Sequence, residues 1–343
     1  MRHKDQCRLP GSHLLRMPTP VRRKLIFACL SLSALALVLS GTAVAGAGRG
    51  IPPADSPNAG GIQDLYVVVL IVTGIIFVIV EGALLLFIFR FRGGGRARAA
   101  EGPQIRGHTR LELIWTAIPA LILAGIIAVV FFKLPGIQDV PDAGAAGPKM
   151  TVQVEGRQFY WRYTYPNGAV SINQLVVPAQ RPIALVITAP DFDVIHSWWV
   201  PQLAGKMDAI PGKTNHTWFE ADHEGIYQGQ CAEFCGIQHA MMLTQVRAVS
   251  NAGYESWVAR QLKVSADIGH MTFLGACAPC HGMQGQGIIG PALKGNATLA
   301  NPQQLRTLLA HGKRKMPPVG EGWTPQEINS LIAYLKQEFV SGG

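Results

Sequence analysis

Acidic residues are scarce in this chain of 343 residues: 21 Asp and Glu face 30 Lys and Arg, for a formal net charge of +9 at pH 7. Such a balance first suggests a polyanion partner. The placement of the charge argues against a nucleic-acid face, because twelve of the Lys and Arg precede residue 100 and surround apolar runs, as membrane topology signals do. No internal repeat is present, which excludes a solenoid or propeller array. Cysteine is limited to six residues. Cys7 and Cys29 fall in a presequence, and the other four form two tight pairs, Cys231/Cys235 and Cys277/Cys280. Export would permit disulfides. Both pairs, however, have His and Met neighbours at ligand spacings, so the sulfurs read as metal and haem ligands instead of staples. What the sequence has in quantity is apolar surface: 48% hydrophobic residues and a positive mean hydropathy point to membrane segments. The length suggests two to three domains.

Residues 1–45 read as a presequence: Arg22-Arg23-Lys24, an apolar run from Leu25 to Leu39, then Ala43-Val44-Ala45, with cleavage after Ala45. An uncleaved first membrane helix is the alternative. Residues 46–64 form a Gly/Pro/Ala-rich flexible lead-in. A membrane hairpin is expected over 65–132. Its first span, Leu65 to Phe89, is an almost wholly apolar run of 25 residues with Glu81 as its one charge. The second runs from Leu111 to Phe132 with Pro119 inside it. Arg90, Arg92, Arg96, Arg98, Arg106 and Arg110 lie between them and mark the cytoplasmic side. Everything after Lys133 is then extracytoplasmic, which in a bacterial inner membrane means periplasmic. Glu112 opens the second span, either as a helix N-terminal acid favoured by the dipole or as a proton-uptake carboxylate.

Residues 133–149 read as a linker. From 150 to 250 the texture is short β-type runs, among them Thr151–Glu155, Phe159–Tyr165, Ile183–Thr188 and Leu243–Val249, separated by turn signals such as Pro166-Asn167-Gly168. This predicts an all-β Greek-key sandwich like the cupredoxins. Residues 251–266 form a helical connector, and 267–343 a small all-α domain with helices over Leu305–Ala310 and Pro325–Phe339.

The β region carries Cys231-Ala232-Glu233-Phe234-Cys235-Gly236-Ile237-Gln238-His239-Ala240-Met241-Met242. Two thiols, an imidazole and two thioethers suit copper, zinc or iron–sulfur rather than magnesium or calcium. For both sulfurs to reach one site the loop must curl, which Gly236 permits. A further ligand must come from elsewhere. His196, at a strand end before Trp198-Trp199, is better placed than His216 or His223, which read as ordinary surface histidines.

At this point the chain resembles a known family. Asp193 to Trp198, Val200-Pro201, Lys206 to Gly212, Gly229 to Met242 and Glu112 to Ala120 are similar to subunit II of cytochrome c oxidase, over about residues 62–258. The resemblance implies a dinuclear CuA centre. Cys231 and Cys235 would bridge two coppers and His196 and His239 would cap them. Met242 rather than Met241 would supply the thioether, and Glu233 its backbone carbonyl. It also implies that the Glu233 carboxylate, near Asp208, faces a magnesium ion shared with subunit I. Glu112 matches a position where protons are taken up into subunit I. One departure stands out: Phe159 occupies a position where the family usually has the Trp that receives electrons from a separate cytochrome c.

Cys277-Ala278-Pro279-Cys280-His281 is the attachment signature of a c-type haem, with His281 as iron ligand. The sixth ligand is a choice among Met283, Met316, Met271 and His311. Met283 is too close to His281 to reach the opposite haem face, whereas Met316 lies in a loop before the last helix. The segment resembles class I cytochromes c, whose distal Met has such a Met-Pro context, and whose Gly-Pro turn, here Gly290-Pro291, holds the proximal imidazole. Lys313, Arg314 and Lys315 are a solvated surface or a docking patch for an acidic partner.

The function implied is that of subunit II of a haem–copper terminal oxidase with a tethered donor. Electrons would pass from haem c to CuA and on to subunit I, where oxygen is reduced to water with proton translocation. Expected partners are subunit I, other oxidase subunits and an electron donor, either a cytochrome c or a quinol-oxidising complex. The alternatives are the matching subunit of a nitric oxide reductase and, in a different class, a copper-binding or assembly protein. A fused haem argues against the latter.

Overall fold

The computed structural model describes residues 52–91 and 107–341. The expected presequence with Cys7 and Cys29, and Arg92, Arg96, Arg98 and Arg106 of the basic loop, lie outside the described residues.

Helix α1 spans Pro57–Arg90 and α2 spans Thr109–Gln138, and both are long and apolar enough to cross a membrane. Both exceed the spans expected from hydropathy. Helix α1 starts inside the expected lead-in, with Pro57 at its first turn. Helix α2 passes through Pro135 into the expected linker. Its end is held in place: the Ile137 carbonyl accepts from Asn58 Nδ2 and from Trp218 Nε1, both at 2.8 Å. The latter bond ties the β-domain to the hairpin. The rest of the expected linker is a small ribbon of β1 (Ala143–Gly144) and β2 (Gly147–Pro148). Glu81 is exposed on α1.

Two five-stranded sheets follow. One is ordered β10 (Asn215–Phe219), β7 (Ile183–Thr188), β3 (Met150–Arg157), β4 (Tyr160–Thr164), β5 (Val170–Ile172). The other is ordered β6 (Gln174–Pro178), β12 (Leu243–Val249), β11 (Gly225–Cys231), β8 (His196–Trp199), β9 (Met207–Ala209). Pairs β3/β7 and β6/β12 are parallel and the rest antiparallel. The period-2 pattern drives this packing: Ile183, Leu185 and Ile187 are wholly buried while Ala184, Val186 and Thr188 are not. Each fully buried aliphatic side chain contributes roughly 2 kcal/mol by leaving water. Some polar core atoms are paired, with Trp198 Nε1 donating to Tyr163 Oη at 2.9 Å and Tyr163 Oη bonded to Thr244 Oγ1 at 2.5 Å, while the buried Trp161 Nε1 has no partner.

Helix α3 (Asn251–Ser265) leaves the sandwich and stays attached to it, Gln261 Nε2 donating to the Val170 carbonyl at 2.6 Å. The last domain comprises α4 (Ile268–Thr272), a π-helical turn at Phe273–Cys277, α5 (Ala278–His281), α6 (Ala297–Ala300), α7 (Pro302–His311) and α8 (Pro325–Lys336). A second core holds it, built on Phe273, Leu293, Leu305, Leu309, Leu331 and Leu335. Thr324 and Glu327 form a capping box at the start of α8. The expected final helix to Phe339 ends at Lys336 and continues as a π-helical turn over Gln337–Ser341.

Candidate copper and haem centres

The sulfur loop joins β11 to β12, and β8 pairs with β11 so that Trp198 lies opposite Cys231. That register carries His196, which is wholly buried, to the sulfurs despite its distance in sequence. His196, Cys231 and Cys235 place their ligand atoms within 4.8 Å of one another. His196 Nδ1 lies 4.0 Å from Cys231 Sγ, and His239 Nδ1 lies 3.6 Å from Cys235 Sγ. Cys235 Sγ is 3.7 Å from Met242 Sδ, and Cys231 Sγ is 3.3 Å from the Glu233 carbonyl oxygen. Met242 is wholly buried while Met241 is half exposed, so the structure separates the two thioethers. Gly236 makes the curl at φ 128°, and a Cβ there would meet Gln158 Nε2 at 3.1 Å and the Phe159 ring at 3.2 Å. His216 and His223 are exposed, and His223 Nδ1 pairs with Asp55 at 2.6 Å.

The electrostatics suit a soft cation. The hydrogen bond between the two thiols, followed by contacts with His196 and backbone, pushes Cys231 down to about 3. The same thiol contact, with burial, pushes Cys235 up. The lowered thiol gives up its proton the more readily, and a bound cation displaces protons from both. Burial lowers the His196 pKa, but hydrogen bonds to Asp193 and Cys231 outweigh it and the net shift is upward. Two thiolates, two imidazole Nδ1 atoms, a thioether and a carbonyl in a buried pocket form a donor set that fits copper.

Two contributors were not singled out from sequence. Asp193 Oδ1 sits 3.2 Å from His196 Nε2, which leaves Nδ1 for metal. The Gln158 backbone N–H donates to Asp193 Oδ2 at 3.0 Å, and Gln158 Nε2 donates to the Cys235 carbonyl at 2.5 Å. An acid three residues before a ligand histidine was the only local signal. The Glu233 carboxylate points out of the site, 4.0 Å from Lys206 Nζ, which also contacts Asp208 at 3.2 Å.

In the helical domain, Cys277 is buried against Phe273, and burial pushes its thiol up to about 12. His281 Nδ1 bonds to the Pro291 carbonyl at 2.7 Å, as the Gly-Pro turn implied. A Cβ on Gly290 would meet the His281 ring at 2.7 Å, so only glycine allows this turn to lie on the imidazole. Met316 packs against the helical core within a tight turn closed by Lys313 and Met316, whereas Met283 is exposed. These residues fit a covalently held haem. Lys313, Arg314 and Lys315 are all exposed.

Glu112 is at the start of α2, where its Oε1 accepts from the His108 backbone N–H at 3.1 Å. Phe159, the expected docking position for a separate donor, is buried and shares a cleft with Pro317 and Pro318 of the Met316 loop. The fused domain therefore covers that face.

A buried thiolate–imidazole–thioether cluster on a β-sandwich, a haem-attachment helix docked beside it and a membrane hairpin together define an anchored electron-transfer protein. Comparisons agree. The family model for the periplasmic domain of cytochrome c oxidase subunit II matches residues 167–249, and that for its transmembrane domain matches 45–134. The model for cytochrome c oxidase, cbb3-type, subunit III matches 264–335. Cytochrome c oxidase subunit 2 of Alkalihalophilus pseudofirmus is 30% identical over 316 residues, covering 82% of this chain and 88% of that one. The subunit of Cereibacter sphaeroides is 31% identical over 253 residues, covering 62% and 79%. The crystal structure of the periplasmic domain of subunit II from Bradyrhizobium japonicum shares 34% identity, covers 36% of this chain and 98% of its own, and has a TM-score of 0.33. The chain belongs to the cytochrome c oxidase subunit 2 family, with a cytochrome c domain fused at its C-terminus. It is an electron-transfer subunit of a haem–copper oxidase, and its domains imply CuA copper and haem c.

Proposed function

We propose that electrons arrive on a haem held by Cys277, Cys280, His281 and Met316 and pass to a copper pair held by His196, Cys231, Cys235, His239, Met242 and the Glu233 carbonyl. From there they continue to subunit I, for oxygen reduction to water with proton translocation. When bound, the two groups would supply one-electron transfer, the haem giving up one electron and the copper pair gaining it, with no bond made or broken. The chain's own residues bury the sulfurs and turn the Nδ1 atoms of both imidazoles toward them, His196 being held from its other nitrogen by Asp193. The observation that carries this reading is that the copper loop and the haem motif touch, Gln238 Nε2 donating to Cys280 Sγ at 3.0 Å. An optical spectrum of the copper-loaded complex tests it: a near-infrared mixed-valence band is expected, and its absence would sink the relay.

Met316→Ala should leave haem covalently attached and lower its potential, because loss of the thioether ligand removes the feature that raises it. Redox titration in the Soret region checks this, and an unchanged potential would return the sixth position to another side chain. The setting favours a bacterial inner membrane with both redox domains periplasmic, and subunit I and a cytochrome c or quinol-oxidising donor as partners. The exposed carboxylates of Glu233 and Asp208 are the pair that would face a shared magnesium.

Glu112, at the end of α2 nearest the basic loop, is assigned to proton uptake. Glu112→Gln should slow oxidase turnover severalfold while haem and copper reduction stay at their normal rates. Turnover equal to that of the unmodified complex would leave Glu112 as a helix-start acid, the role its bond to His108 already supports.

A further inference from the structure

We propose that Gln238 is the contact that ties the haem-binding helix to the copper loop, positioning Cys280 for electron passage into His239. This rests on the relay proposed above. Gln238 immediately precedes His239, and its backbone carbonyl accepts from Met241 N–H at 2.8 Å, closing the 3₁₀ turn His239–Met241. The backbone of the residue is thus fixed by the same turn that sets His239 beside Cys235. Its half-buried side chain leaves the sandwich and donates to Cys280 Sγ at 3.0 Å. Among the described residues this is the only side-chain hydrogen bond between the copper loop and the C-x-x-C-H helix.

Chemistry supports a positioning role. A primary amide supplies two N–H donors, and a thioether sulfur remains a weak acceptor, so the bond survives covalent haem attachment. From Cys280 the route to His239 then needs one hydrogen bond and continuous covalent bonds thereafter. The other polar ties between the domains among the described residues, Glu327 with Arg157 and with Arg162, reach neither set of ligands. Phe159 lies over Gly236 but offers only van der Waals contact.

The test uses the complete, cofactor-loaded oxidase carrying Gln238→Met, which keeps length and bulk and removes the donor, and Gln238→Glu, which keeps shape and cannot donate when ionised. Two quantities are read: the rate at which the copper band bleaches after rapid photoreduction of the haem, and the enhancement of copper EPR relaxation by oxidised haem. Both variants should transfer electrons severalfold more slowly and show weakened relaxation enhancement, with both midpoint potentials unchanged. Unchanged relaxation enhancement in Gln238→Met overturns the positioning role whatever the transfer rate. A copper signal missing from the unsubstituted complex would instead overturn the relay itself.

Discussion

Cys231→Ser should remove the copper pair while leaving the haem in place. The expected result is an oxidase that keeps its Soret absorbance, loses the near-infrared band and reduces subunit I from the haem at a vanishing rate. The physical reason lies in what this sulfur touches: His196 Nδ1 at 4.0 Å and the Glu233 carbonyl at 3.3 Å, with the Cys235 contact and His196 lowering its pKa. A serine hydroxyl stays protonated and is a hard donor, poorly matched to copper beside thioether and imidazole. Cys235 would be left without the partner that shares its proton, and His196 without the sulfur its Nδ1 faces. Changes to outer partners alone cost roughly 10- to 100-fold in metal affinity, so loss of a bridging ligand should exceed ~100-fold. The fold should survive, because the change is nearly isosteric and the core around Trp198 and Tyr163 is untouched. Copper analysis and far-UV circular dichroism check both halves. A full complement of two coppers in this variant would rule out the bridging assignment.

The copper ligands were unevenly legible. Cys231, Cys235, His239 and Met242 share one loop, so spacing alone grouped them. His196 is remote in sequence and joins them only because β8 pairs with β11, a register that no local pattern encodes; its strand-end position before Trp198-Trp199 marked it as the candidate, and the family resemblance gave its role. Asp193 and Gln158 act through that same approach of strands and left almost no trace. Strands β5, β8, β9 and β11 did not read as strands from pattern alone. Gly225–Cys231 has its apolar residues adjacent at Ile226 and Tyr227 and then runs Gln-Gly-Gln, so no alternation marks it, and its pairing comes from neighbours on both sides. The hairpin helices were visible as apolar runs but their ends were not, since hydropathy marks the lipid-facing length while Asn58 and Trp218 hold the last turn of α2 beyond it. The haem motif was wholly local and readable. Its docking against the copper loop, through Gln238 and the Met316 loop, is a tertiary fact with no periodicity to announce it.

Docking of the haem domain also rests on charge. Arg157 on β3 pairs with Glu155 at 2.9 Å and reaches across to Glu327 at 3.1 Å, at the start of α8. Arg162 lies 3.9 Å from each carboxylate. The Arg157 and Glu327 side chains are only 12% and 17% exposed, so salt screens them weakly. Arg157→Met should leave two acids facing one more distant guanidinium. Stranding a buried charge costs about 3 to 5 kcal/mol; with Arg162 still near, the lower end applies, or a roughly hundredfold loss of docked population. Hydrogen exchange should accelerate in the first turn of α8 and in β4, and remain unchanged in β10 on the far edge. Adding Glu327→Gln should recover most of the loss, because the stranded charge is gone.

Acid separates this clamp from simple packing. Burial pushes the Glu327 carboxyl up, but hydrogen bonds at Thr324 and the charge of Arg157 outweigh it, so it lies below the usual range. The Thr324 bonds stay within the helical domain, so only the part of the lowering owed to Arg157 belongs to docking, and it is lost as pH falls through the lowered value. In Arg157→Met the sign reverses. Without the guanidinium, Glu327 is left buried near another carboxylate, so a proton it takes up under mild acid relieves repulsion and strengthens docking. Opposite pH slopes for the two proteins would identify the ion cluster as the clamp. Parallel slopes would leave docking to the apolar contacts around Tyr160 and Phe159.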